Sequence, residues 1–244
     1  MALFLLDSNL LLGMIIEYNE VHQHIKEWCI VEKIIEIKNL SYQVKDTKIL
    51  HNINLNIEEG EDVTFVGPSG SGKSTLMRII ASMISASSGE VLFKGQKIEN
   101  IDPIEYRQKI SYAFQQPTLF GKTIKDNLAF PFEVRKQEFD RQKVTGYLEM
   151  VNLNETYIDK SVNDVSGGEK QRIALLRNLI FPPEVLITDE VTTGLDTENK
   201  AIVHRMLKDF NEQGLTILKV THDETEINDA AIKITIRDGE IANV

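Results

Sequence analysis

The chain has 244 residues, 42% hydrophobic and 26% charged, with a formal net charge of −10. That length suits one α/β domain or two small ones, and the composition is that of an ordinary globular protein. The acidic balance and the absence of a basic run disfavour nucleic acid as the main partner, because phosphate backbones require clustered Lys and Arg. The single cysteine, Cys29, excludes an internal disulfide and reads as a reduced, cytoplasmic compartment.

Residues 1–31 differ in character from the rest of the chain. Ala2–Ile16 is the most apolar stretch, but it is shorter than the roughly 20 residues of a spanning helix. Asp7, Ser8 and Asn9 interrupt it, and no Lys or Arg precedes it as in a signal peptide. The chain is therefore not expected to cross a membrane by itself; if it serves transport, a separate polypeptide supplies the channel. His22, His24 and the only tryptophan, Trp28, complete this segment.

From Glu32 onward an α/β pattern begins. Strands are predicted at Ile34–Leu40, Ile53–Ile57, Asp62–Val66, Glu90–Lys94, Ile110–Phe114, Val185–Thr188, Thr216–Thr221 and Ile232–Arg237. Helices are predicted over Ser74–Ile84, Asp140–Val151, Glu169–Ile180 and Glu198–Gln213. Strands alternating with helices predict an α/β fold with a parallel-rich core. Residues 116–165 have few strand signals and read as a helical insertion.

Gly67-Pro68-Ser69-Gly70-Ser71-Gly72-Lys73-Ser74-Thr75 lies between the strand ending at Val66 and the helix starting at Ser74. This is the P-loop pattern in its required strand–loop–helix setting. Glycines let backbone N–H groups wrap phosphates, and the helix N-terminus favours anions. Lys73 is expected at the β- and γ-phosphates, and Ser74 on Mg²⁺.

Val185-Leu186-Ile187-Thr188-Asp189-Glu190 is a buried-strand run ending in two acids. Beside a P-loop, Asp189 would hold Mg²⁺ and Glu190 would polarise the attacking water. Read alone, the pair is equally a solvated acidic turn. Val165-Ser166-Gly167-Gly168-Glu169-Lys170-Gln171-Arg172 opens with an S-x-x-E capping box ahead of an amphipathic helix. Its bland reading is a well-capped helix. Its two glycines also expose N–H groups at a positive helix end, a second anion site.

These residues resemble the ABC ATPase family, whose signature is LSGGQ; Val165 stands for the usual Leu and Glu169 for the usual Gln. The resemblance covers about Ile34 to Asn243. It implies a P-loop NTPase cassette with a RecA-like core, an antiparallel β subdomain and a helical subdomain over about 116–165. It implies ATP hydrolysis by two cassettes that sandwich ATP, with Ser166, Gly167, Gly168 and Glu169 of one facing the P-loop of the other. Gln115 matches the Q-loop glutamine, linking Mg²⁺ and water to a multi-span membrane permease. Thr193-Gly194-Leu195-Asp196 matches the D-loop, with Asp196 at the nucleotide and Gly194 where Ala or Ser is common. His222 matches the switch histidine at the γ-phosphate. Taken singly, Gln115, Asp196 and His222 are as readily structural. The family's adenine-stacking aromatic falls near Val44, so Tyr42, two residues earlier on the same strand face, is assigned to adenine or, equally, to packing.

The phrasing Glu105-Tyr106-Arg107-Gln108, Gln116 to Gly121, Asp126-Asn127-Leu128 and Glu226-Ile227-Asn228 is similar to the Fet-type ATPases, linked to iron export through a separate permease. The rival class is a soluble ABC ATPase acting on a ribosome or nucleic-acid complex, which the acidic charge and single cassette disfavour. The resemblance starts only after Glu32, so residues 1–31 are expected to be a dispensable extension. A chain beginning at Val31 should fold and hydrolyse ATP at the full-length rate; aggregation or inactivity would give the segment a packing role.

Overall fold

The structure, a computed structural model, describes residues 32–242; the N-terminal extension, including Cys29, lies outside the described residues. Two sheets organise the rest. The first is an antiparallel sheet of four strands in the order β2-β1-β4-β5, formed by β1 (Lys33–Val44), β2 (Thr47–Glu58), β4 (Ser88–Phe93) and β5 (Gln96–Lys97). The second has six strands in the order β10-β9-β3-β8-β7-β6, formed by β3 (Asp62–Val66), β6 (Ile110–Ala113), β7 (Val185–Asp189), β8 (Thr216–Val220), β9 (Ile232–Arg237) and β10 (Glu240–Ile241). Strands β9, β3, β8, β7 and β6 are parallel, and only β10 runs against its neighbour. This is the expected RecA-like core beside an antiparallel β subdomain.

Among the described residues seven α-helices connect these strands: α1 (Lys73–Ile80), α2 (Pro103–Lys109), α3 (Ile124–Val134), α4 (Arg141–Met150), α5 (Gly167–Leu179), α6 (Thr197–Glu212) and α7 (Glu224–Asp229). The six-stranded sheet is packed on both faces, as a parallel sheet must be. Side chains alternate along its strands, so Val185, Ile187, Leu218 and Val220 join one core while Leu186 and Ile217 join another. The first core lies between the two sheets and contains Leu76, Met77, Ile79 and Ile80 of α1. The second joins the sheet to α6 through Val203 and Met206, and to the helical segment through Ile124, Leu128, Phe132, Val144 and Leu148.

The departures from the predicted elements have local causes. β1 and β2 are twelve residues each, because a two-residue turn at Lys45-Asp46 lets the pairing continue through polar residues to Val44 and Thr47. β4 stops at Phe93 because Lys94 and Gly95 both take positive φ to turn into β5. Helix α2 lies outside the predicted set, though Asp102 caps it and Pro103 occupies its first turn. Helix α3 carries Pro131 within it, which hides its pattern; a capping box of Thr123 and Asp126 starts it nonetheless.

Candidate active site

Parallel topology brings three strand ends to one edge, where open α/β sheets bind their ligands. β3 leads into the phosphate loop, β7 ends in Asp189, and β8, lying between them, leads to His222. The loop's first glycine is fixed by close approach: a Cβ on Gly67 would sit 2.0 Å from the Ile236 carbonyl oxygen of β9, at a φ of +141°. The turn between β9 and β10 braces the loop from behind, the Gly239 amide donating to the Ser71 carbonyl at 3.2 Å.

Lys73 opens α1, 5% exposed. Its ammonium donates to the Gly67 and Pro68 carbonyls at 2.8 and 2.9 Å. Burial holds the Lys73 ammonium below its ordinary pKa, against the opposing pull of Glu190 and Asp189. Ser74 donates to Asp189 Oδ1 at 2.9 Å, and Tyr112 donates to Asp189 Oδ2 at 2.6 Å. Glu190 follows at a φ of +53°, a left-handed conformation that a glutamate rarely adopts. Its amide is held to the Val220 carbonyl at 2.9 Å. Such strain persists only where surrounding contacts impose it, and it gathers at working sites. Here the kink separates the two acids: Asp189 turns to Ser74, while Glu190 meets Gln115 Nε2 at 2.8 Å and His222 Nε2 at 3.2 Å.

Ser69 through Thr75, Glu190, His222 and Ile49 of β2 line a cleft of 330 Å³. Ser71 Oγ is buried in its wall without a partner among the described residues, which suits a phosphate oxygen. Ser74 and Asp189 offer two hard oxygens side by side, the donor type that Mg²⁺ takes.

Other predicted residues stand elsewhere. Tyr42 pairs with Leu50 and packs, partly buried, against the first core; it is absent from the cleft lining, where Ile49 stands. Ser166 caps α5, receiving the Glu169 amide at 3.3 Å, while the Glu169 carboxylate receives the Ser166 amide at 2.6 Å. Tyr157 also donates to Glu169. Asp196 caps α6, binding the Asn199 amide at 2.8 Å and its side chain at 2.7 Å. Neither Ser166 to Glu169 nor Asp196 lines the cleft of its own chain. Gly167 has open space at its Cβ position, whereas a Cβ on Gly168 would lie 2.6 Å from the Asn199 side chain.

Several supporting contacts carry no signal in the sequence. Glu226 of α7 receives the Thr192 hydroxyl at 2.6 Å and lies 2.7 Å from His204 Nε2. Burial alone would raise its carboxyl pKa, but the bonds from His204, Thr192 and Thr221 outweigh it and hold the group low. Lys200 pairs with Asp223. These contacts pin the helix behind His222 to α6. They join residues distant in the chain, so no local pattern could reveal them.

A parallel sheet that delivers a phosphate loop, two acids and a histidine to one edge is the machinery of a P-loop NTPase. Residues 50–193 match the family model described as ABC transporter. Over 205 residues the chain is 45% identical to the Probable iron export ATP-binding protein FetA of Escherichia coli (strain K12), spanning 84% of this chain and 91% of that protein. Over 215 residues it is 40% identical to the Spermidine/putrescine import ATP-binding protein PotA of Clostridium novyi (strain NT), spanning 86% of this chain and 61% of that protein. A dimeric post-hydrolysis state of an ATP-binding cassette with ADP and Pi superimposes with a TM-score of 0.76 at 32% identity, spanning 86% of this chain and 97% of that one. The chain belongs to the ABC transporter family and is one of its ATP-binding, ATP-hydrolysing subunits.

Proposed function

We propose that the chain works as one of two identical cassettes closing on ATP and Mg²⁺, and that it powers iron export through a separate multi-span permease from the cytoplasmic face of the membrane. The carrying observation is the division of phosphate-seeking groups. One cleft holds the P-loop, Glu190 and His222, while the glycine-led start of α5 and Asp196 lie outside it on the same chain. A second copy would supply that helix end, and the similar cassette with ADP and Pi is dimeric. The identity to FetA supports iron as cargo; no residue of the cleft reads it.

In this reading the P-loop amides and Lys73 hold the β- and γ-phosphates. Ser74 and Asp189, with Gln115, hold Mg²⁺, which neutralises phosphate charge when bound. Glu190 takes the proton from the attacking water as its oxygen bonds the γ-phosphorus and the bond to ADP breaks. His222 contacts the γ-phosphate and keeps Glu190 in place. Tyr42 is the adenine-side candidate from β1.

The proposal extends to a docking side. No helix among the described residues is long and apolar enough to cross a membrane, yet Phe114, Phe120, Phe130, Val134 and Ile104 are exposed. They border neighbouring clefts of 340 and 480 Å³ that share Phe130 and Arg177. A contiguous apolar surface of this kind marks a partner site. Arg177, on the helix that starts with the signature, donates to the Thr118 carbonyl at 3.0 Å and covers the Phe120 ring at 5.3 Å. Phe120→Asp should abolish co-purification of the permease while leaving ATP binding by the isolated chain unchanged. In vesicles carrying the complete pair, ATP should drive iron across the membrane, and Glu190→Gln should stop it. Permease capture by Phe120→Asp at wild-type yield would remove the docking assignment, and ATP-driven movement of other cargo but not iron would remove the iron assignment.

A further inference from the structure

Asp189 leaves the sheet with both carboxylate oxygens engaged, and only one of the two bonds comes from the phosphate-loop helix. The other comes from Tyr112 on β6, whose phenol donates to Oδ2 at 2.6 Å. β6 runs parallel to β7 with Tyr112 beside Ile187. Alternation then places Tyr112, Ile187 and Asp189 on one face of the sheet, and the tyrosine ring is long enough to reach along that face to the carboxylate. Asp189 is only 7% exposed, so water is a poor substitute for this bond. The same ring packs on Phe114, with centroids 4.8 Å apart, which sets the carboxylate two contacts from the exposed apolar surface.

We infer that Tyr112 is a positioning residue for the metal carboxylate: its hydroxyl holds Oδ2 and thereby presents Oδ1 beside Ser74. The inference rests on the proposed assignment of Ser74 and Asp189 to Mg²⁺. Without the hydroxyl, one oxygen of a nearly buried carboxylate loses its partner, and the group turns to find another. Groups that hydrogen-bond a ligating carboxylate set its orientation, and their removal typically weakens metal binding by about 10–100-fold.

The test uses the full chain with Mn²⁺ as the metal probe, read by electron paramagnetic resonance of free Mn²⁺ in the presence of a saturating non-hydrolysable ATP analogue. Nucleotide affinity in EDTA is measured in parallel. Tyr112→Phe should weaken Mn²⁺ binding by about tenfold or more and leave metal-free nucleotide affinity at the wild-type value. Tyr106→Phe is the control, since it removes another buried phenol bond, to the Ile80 carbonyl at 2.6 Å, at the far end of α1 from the phosphate loop. It should leave Mn²⁺ affinity unchanged. The inference is overturned if Tyr112→Phe binds Mn²⁺ as tightly as wild type, if Tyr106→Phe weakens it equally, or if metal-free nucleotide affinity falls in step. A Tyr112→Phe chain that does not fold overturns it too, because the hydroxyl then serves the fold. Wild-type protein that binds no Mn²⁺ with nucleotide would instead remove the metal assignment itself, and the inference with it.

Discussion

Replacing Glu190 by Gln should lower ATP turnover by roughly 10²–10⁴-fold while ATP stays bound. The substitution keeps the size of the side chain and its place between Gln115 and His222, at 2.8 and 3.2 Å. It removes the carboxylate proposed to accept the water's proton. The phosphate loop is untouched, because Lys73 and Ser74 make their contacts with Gly67, Pro68 and Asp189 rather than with Glu190. ATP should therefore persist and hold two copies together. Sedimentation in ATP and Mg²⁺ should show a dimer for Glu190→Gln and a faster-dissociating one for wild type. A monomer with ATP bound would count against the two-cassette reading, and wild-type turnover would remove Glu190 as the base.

Two inactive chains should restore activity when mixed. Lys73→Ala removes a buried cation from the triphosphate site and should weaken ATP binding and cut turnover by about 10²-fold or more. For the partner mutation the structure favours Gly167 over Gly168. A side chain at Gly168 would strike Asn199 of its own chain, whereas the Cβ position of Gly167 is open. Gly167→Asp therefore places a carboxylate at the helix end with no intrachain clash, where it should repel phosphate held by a second copy. In a mixed dimer both defects fall on one composite site and leave the other intact. Random pairing makes half the dimers mixed with one good site in two, so activity should return to about a quarter of wild type. If signature and P-loop served the same chain, every site in the mixed dimer would be dead. Demonstrated mixed dimers with no activity would favour that arrangement.

Much of the nucleotide edge is legible in sequence because it sits on buried parallel strands. β3, β7 and β8 read as apolar runs, and each ends where a phosphate, metal or γ-phosphate contact is expected. The strand boundaries blur where burial is one-sided: β1 and β2 extend through polar residues that only hairpin pairing explains. Helix α7 buries no side chain fully, so it carries no apolar stripe to find. Tyr112 reads in sequence as an ordinary strand tyrosine. Its bond to Asp189 arises from the pairing of β6 with β7, a contact between segments 77 residues apart. The Glu226 network is hidden for the same reason, and the Gly168–Asn199 contact more so, since a glycine in a signature reads as a phosphate ligand before it reads as a spacer.

That spacer has a mechanical meaning. Gly168 lies in the first turn of α5, and Asn199, strapped to Asp196, lies in the first turn of α6. A Cβ at 168 would lie 2.6 Å from the Asn199 side chain, so a residue larger than glycine there requires Asn199 to move. The two segments assigned to face another cassette thus meet within one chain, and the helix that begins at Gly167 carries near its other end the Arg177 contact beside Phe120.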